Sequence, residues 1–167
     1  MFTHISKLCP TTVFAAVLAF SAAGVASAQN VVQTVPDSGI VRVKSAYSVA
    51  DTVERLKSDV ASKGIKFFLE VDQAKLASDA GIKLRPSTLL IFGNPPLGTL
   101  FIAANPLAGL DWPVRLLVLE DEKGDVWAAY TDFSYIAHRH AVTGADAEAF
   151  AKASGVIASI TSSVKAQ

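Results

Sequence analysis

Residues 84–113 read LRPSTLLIFGNPPLGTLFIAANPLAGLDWP, and no other stretch restricts the possible folds as tightly. These residues hold five of the chain's seven prolines and three of its ten glycines, set around a dense apolar run. Leu89-Leu90-Ile91-Phe92 is apolar at every position, so both faces of the extended chain are apolar, which predicts an interior strand. Gly93-Asn94-Pro95-Pro96 must end that strand, because proline fixes its own φ and offers no N–H to a ladder. Leu97 to Ala104 then reads as a short helix closed by Asn105-Pro106. A fold that accepts this stretch threads one strand through its centre and gathers the turn-rich links at the strand's end.

The flanks supply the remaining elements. Ile40–Ser45 alternates apolar and polar residues, as a half-buried strand does. Ser48 with Asp51 three residues on is a capping box, Val49, Val53, Leu56 and Val60 form one helical stripe, and Gly64 ends the helix. Ile65–Asp72 is the second strand, with Phe67, Leu69 and Val71 expected on one face. Gln73–Gly81 is a short exposed helix. Val114–Leu119 is a further apolar strand interrupted by Arg115. Asp121–Asp125 has hairpin length and chemistry, so Val126–Thr131 returns antiparallel. Asp132–Arg139 is a short turn or helix. Thr143 and Asp146 cap a last helix with Ala147, Phe150, Ala151, Ile157 and Ile160 inward. Within it Gly155 either costs about 1 kcal/mol relative to alanine or permits a close backbone approach. The order predicts a two-layer α+β domain, β-α-β4-α, with a mostly antiparallel sheet under two main helices.

The first 28 residues have the makings of an export signal. His4 and Lys7 are followed by an apolar segment from Val13 to about Val25 and by Ala26-Ser27-Ala28, the small-x-small pattern of a cleavage site. The apolar core is shorter than the roughly 20 residues of a spanning helix. Cleavage near Ala28 would give a periplasmic or secreted protein that has lost its only cysteine and only methionine. Its stability would then rest on a core and not on disulfides. The remaining balance, 14 basic residues against 15 acidic, argues against nucleic acid as a partner. No second long apolar segment follows, so no membrane contact is expected after cleavage. Residues 29–39, with the turn signal Pro36-Asp37-Ser38-Gly39, read as a flexible lead-in.

Leu84-Arg85-Pro86-Ser87-Thr88-Leu89-Leu90-Ile91-Phe92-Gly93-Asn94-Pro95 resembles the core motif of the DUF302 family. The resemblance continues through Gly98-Thr99, Asn105-Pro106, Gly109-Leu110-Asp111, Pro113, Val126-Trp127, Tyr130 and Ala137-His138-Arg139-His140, and implies a DUF302-like domain over residues 40–164 with the β-α-β4-α fold. DUF302 is a domain of unknown function, so the resemblance carries a fold and no activity. The family commonly has an Asp-His pair after the second strand. Here the matching residues are Asp72-Gln73, and glutamine neither titrates near neutral pH nor ligates as imidazole does.

Four groupings are candidates for chemistry. His138 and His140 could ligate zinc or copper with Asp72 or Asp132, but no cysteine or third histidine remains after cleavage, so no metal is expected. Arg85 and Arg115 sit beside apolar strands and require carboxylate partners, with Glu70, Asp72 and Asp111 available. They are either an anion clamp or, the reading favoured, buried ion pairs that fix register. Gly93–Thr99 lacks the Gly-Lys-Ser/Thr of a phosphate loop and is a strand exit. Trp112, Trp127, Tyr130, Tyr135, Phe92 and Phe101 fill a core, line a pocket or meet a second copy.

Together these features predict an exported domain that binds a small, partly apolar or anionic ligand without catalysis, as a homodimer. The ligand residues expected are Arg85, Phe92, Asn94, Asn105, Tyr130, His138 and His140. They lie where the Gly93–Thr99 exit, the Asn105–Trp112 turn and the Tyr130–His140 segment should converge. No cofactor is indicated. One competing reading is an enzyme, hydrolase-type or other, using His138 or His140 as acid–base or metal-binding groups, the ring oriented by Asp72 or Asp132. Another is a structural or partner-binding module, whose sign would be a large exposed apolar patch.

Overall fold

A computed structural model describes residues 31–143 and 145–166. The export signal expected at residues 1–28 lies outside the described residues. Among the described residues no helix is long and apolar enough to cross a membrane.

Six strands form one antiparallel sheet. They are β1 (Val32–Val35), β2 (Ile40–Lys44), β3 (Lys66–Asp72), β4 (Ser87–Gly93), β5 (Val114–Glu120) and β6 (Val126–Thr131), in spatial order β1-β2-β6-β5-β4-β3. The helices are α1 (Val49–Ser62), α2 (Gln73–Asp79), α3 (Pro95–Ala104), α4 (Phe133–Arg139) and α5 (Ala145–Ser162), with a 3-10 turn at Pro106–Leu110. The fold is α+β, as predicted, with α3 and α4 joining α1 and α5 in the helical layer. Val53, Leu56 and Val60 of α1 and Phe150, Ile157 and Ile160 of α5 pack on Leu90, Phe92, Leu116, Val118 and Ala128 of the sheet.

Local signals account for most boundaries. The Ser48 hydroxyl accepts from the Asp51 amide and begins α1, and Gly64 follows its end with φ +64°. Asp72, Asn94 and Asp132 accept in the same way at the starts of α2, α3 and α4. The Thr143–Asp146 cap and the inward Ala147 fall partly on positions outside the description. Ala151 is exposed, and Ala153 takes the inward position. A Cβ on Gly155 would meet nothing within 4 Å, which removes the close-approach reading.

Three expectations need correction. Val32–Val35, part of the lead-in read as flexible, pairs with β2 across the Pro36–Gly39 turn, with Val35 opposite Ile40. Phe67, Leu69 and Val71 do not share a face. A register shift between Phe67 and Leu69 sets Phe67 opposite Phe92 but Leu69 opposite Ile91, and neighbours in a strand point to opposite faces. Strand β4 does lie inside the sheet, between β3 and β5, but helices cover only one of its faces. Leu90 and Phe92 are buried beneath them, whereas Leu89 and Ile91, with Leu117 and Leu119 of β5, are half-exposed on the other face.

Candidate functional site

The three links do come together at the Gly93 end of β4. Trp112 is the wedge between them. Its indole lies so close to Gly93 and Gly98 that a Cβ on Gly93 would come to 3.0 Å from the ring and one on Gly98 to 1.8 Å. Both glycines are therefore needed for space and not for backbone freedom. Under the indole is a small apolar cavity of about 30 Å³, walled by Phe92, Leu97, Phe101, Phe133 and Ile157. Phe68 meets the same indole edge-to-face, with ring centroids 6.2 Å apart. The Trp112–Pro113 peptide is cis.

Asp111, one residue earlier, is the polar centre. Its side chain is 6% exposed, and its Oδ2 lies 2.6 Å from His140 Nε2, on an imidazole that is 5% exposed. Its Oδ1 accepts from Arg115 at 3.3 Å and from Arg139 at 3.2 Å. Arg115 also donates to the Leu110 carbonyl at 2.8 Å. The Asn105 amide donates to the His140 carbonyl at 2.9 Å, and the Asn105 side-chain oxygen accepts from the Leu107 amide and opens the 3-10 turn. Asn105 and Asp111 thus clamp both ends of that turn to the end of α4.

The predicted ligand residues divide. Asn94, Asn105, Phe92 and His140 belong to this end: Asn94 caps α3 and borders the cavity, and Phe92 is core. Tyr130 is half-buried one strand away. Burial, then the neighbouring Asp132, pushes its phenol above the usual tyrosine range. His138 is exposed at the end of α4 and borders a separate open groove with Ser134, Val142 and Ser154. Arg85 is exposed at the opposite end of β4, where Ser87 pairs with Leu119.

Arg85 and Arg115 therefore form no pair. Among the described residues Arg85 has no carboxylate within 4 Å, because Glu70 holds Lys57 at 3.0 Å and Asp72 caps α2. Arg115 does find Asp111, but the buried partner is the carboxylate, since the arginine stays 52% exposed. Neither Asp72 nor Asp132 orients a histidine, as both are spent on caps. Gln73, which stands where the family commonly has histidine, accepts from Ser87 at 2.8 Å and ties the end of β3 to the start of β4. Among the described residues no group of three or more His, Cys, Asp or Glu could hold a metal ion.

Sequence reasoning missed Arg139 and the centrality of Asp111. Asp111 and His140 are 29 residues apart, and no local periodicity links them. The available signal was a carboxylate between Leu110 and Trp112 in an apolar setting, where an unpaired charge is untenable.

The other half of the sheet has a different polar group. Trp127 is buried on the face away from the helices, its indole N–H donating to Asp121 at 2.8 Å, with the Arg42 guanidinium 4.2 Å from its ring centroid. That hydrogen bond, ahead of those from the Lys123 and Asp125 amides and the charge of Arg42, holds the Asp121 carboxyl below the usual range against the opposing effect of desolvation.

The model of the family described as "Domain of unknown function DUF302" matches residues 41–160. The chain belongs to the DUF302 family. A crystal structure of an uncharacterized conserved DUF302 protein from Bacillus stearothermophilus superposes with a TM-score of 0.69 at 17% identity, covering 77% of this chain and 99% of that one, and shares its fold. Two longer proteins named fluoride-specific ion channel FluC 1, from Brucella suis and Brucella abortus, are each 42% identical over 106 residues, or 64% of this chain. This DUF302 chain spans about two fifths of their length, 42% and 39%. The channel name describes those longer proteins.

Proposed function

We propose that this DUF302 domain is an exported, non-catalytic module that binds a small, partly apolar or anionic ligand at the Gly93 end of β4. The observation that carries the reading is the clamp made by Asp111, which draws Arg115 of β5 and Arg139 and His140 at the end of α4 onto one carboxylate. Such pre-positioning of charged groups on links held by a rigid sheet is what a binding site requires. Catalysis by His140 is disfavoured on geometry. Its imidazole and the Asp111 carboxylate beside it are both almost fully covered, leaving no space in which a substrate proton could reach the ring.

Native mass spectrometry of protein isolated from the periplasm tests the reading. A reproducible bound small molecule, lost in Asp111→Asn, is the expected result. Protein that is consistently empty contradicts it, and recovery only from the cytoplasm with residues 1–28 intact contradicts export.

Self-association is supported by a separate observation. Leu69, Leu89, Ile91, Leu117 and Leu119 leave an apolar band on the sheet face away from the helices. Patches of this kind on soluble domains mark interaction surfaces. We assign it to a second copy of the chain. Sedimentation equilibrium should give a dimer that Leu117→Lys converts to monomer. A monomeric wild type at tens of micromolar contradicts this.

A further inference from the structure

We infer that Arg115 and Arg139 form the recognition element for an amphiphilic oxyanion, a carboxylate or phosphate monoester carried on a short apolar chain. This rests on the ligand-binding reading above and names the ligand's chemical class.

The first ground is charge. Two guanidinium groups share a single carboxylate, and among the described residues Asp111 is the only carboxylate within 4 Å of either. The group carries at least one uncompensated positive charge. It stands half in solvent, with each arginine side chain 52% exposed, so an anion can reach it.

The second ground is geometry. One terminal nitrogen of each guanidinium contacts the same Asp111 Oδ1, at 3.3 and 3.2 Å. The two arginines are therefore fixed within about two hydrogen-bond lengths of each other. Each guanidinium has five N–H donors, and among the described residues Arg115 makes two hydrogen bonds and Arg139 one. Several donors stay available on adjacent planar forks, an arrangement that suits a carboxylate or phosphate with two or more oxygens. Asp111, itself buried and held by His140, keeps the two side chains from dispersing. It acts as a positioning residue and does not touch the ligand.

The third ground is the apolar surface beside them. Arg115 is tied to the Leu110 carbonyl, so Leu110 adjoins the guanidinium. Leu107 and Leu110 are three residues apart in the 3-10 turn, where side chains at i and i+3 eclipse, and each is 65% exposed. They make one apolar ridge next to the cationic pair. Asn105 and Asp111 fix both ends of that turn, so the ridge is held against the charge and not left to swing. An oxyanion with an apolar tail satisfies both features together, and an inorganic anion satisfies only one.

Isothermal titration of the full mature chain with octanoate, octan-1-ol, inorganic phosphate and phosphatidylglycerol vesicles is the test. Octanoate should bind at least tenfold more tightly than either octanol or phosphate. Arg139→Gln and Arg115→Gln should each weaken octanoate at least tenfold in protein that circular dichroism shows to be folded at the assay temperature. Arg139→Lys, which keeps charge but not the fork, should recover only part of the loss. Leu107→Ser with Leu110→Ser should weaken octanoate and leave phosphate unchanged. Octanol binding as tightly as octanoate, or arginine variants that bind normally, would overturn the assignment. Binding to vesicles without binding to free octanoate would also overturn it. A neutral molecule on the natively isolated protein, with no octanoate binding, refutes the class named here and leaves the ligand-binding reading standing. Empty native protein together with no octanoate binding refutes both.

Discussion

The two ends of β4 are built from the same kind of sequence and do different things. At the Gly93 end, Trp112 fills the space two glycines leave, and Asp111 ties β5, α4 and the 3-10 turn together. At the Ser87 end, Arg85 and Leu84 are exposed, and the polar groups that do engage, Gln73 with Ser87 and Asp121 with Trp127, fasten neighbouring strands and a hairpin. Both ends have prolines and an arginine beside an apolar strand. A strand terminus becomes a candidate site when links distant in sequence are cross-connected there, and residue type alone does not determine it.

The most damaging change should be Gly98→Ala. Its new Cβ would overlap the Trp112 indole, and overpacking against a ring held on several sides costs about 3 kcal/mol or more. Chemical denaturation with tryptophan fluorescence measures this. Full stability would mean that the indole is not wedged. Asp111→Asn should cost about 2–3 kcal/mol, less than the loss of a fully buried partner because both arginines are half in solvent. Arg85→Ala, at the other end, should stay within about 0.5 kcal/mol. Equal losses in the two variants would erase the difference between the ends.

Gly155→Ala is the counterpart of Gly98→Ala. It lies in a helix with open space around it, and should stabilise by about 0.5–1 kcal/mol. The smallest effect is on pH dependence. The Tyr130 phenol is raised in the folded protein, first by burial and then by Asp132. Its contribution to stability is complete below the unfolded value of about 10 and is lost as pH rises through the folded value. Absorbance at 295 nm should show one tyrosine titrating late, and Tyr130→Phe should flatten the alkaline fall in stability. A Tyr130 that titrates with free tyrosine contradicts the packing of β6 against the helical layer.

Much of the fold was legible because local chemistry sets it. Ser48 with Asp51, Gly64 and the Asp121–Asp125 hairpin each act within a few residues, and the helical stripe of α1 has a clear period. What escaped was non-local. Val32–Val35 becomes a strand only because β2 presents an open edge. The register shift at Phe67–Leu69 breaks the period-two pattern that would otherwise assign faces. The apolar run of β4 implied cover on both faces, and one chain supplies it on one. At the site, Asn94, Asn105 and His140 were legible as turn and motif residues. Asp111 as a hub was not, because its partners come from positions 115, 139 and 140 by way of the sheet.

Hydrogen–deuterium exchange, read by mass spectrometry with and without octanoate, puts the contrast between the two ends to the most direct trial. The account predicts added protection confined to residues 105–115 and 133–140, with 82–87 unchanged. Protection that appears at 82–87, or nowhere, would contradict it.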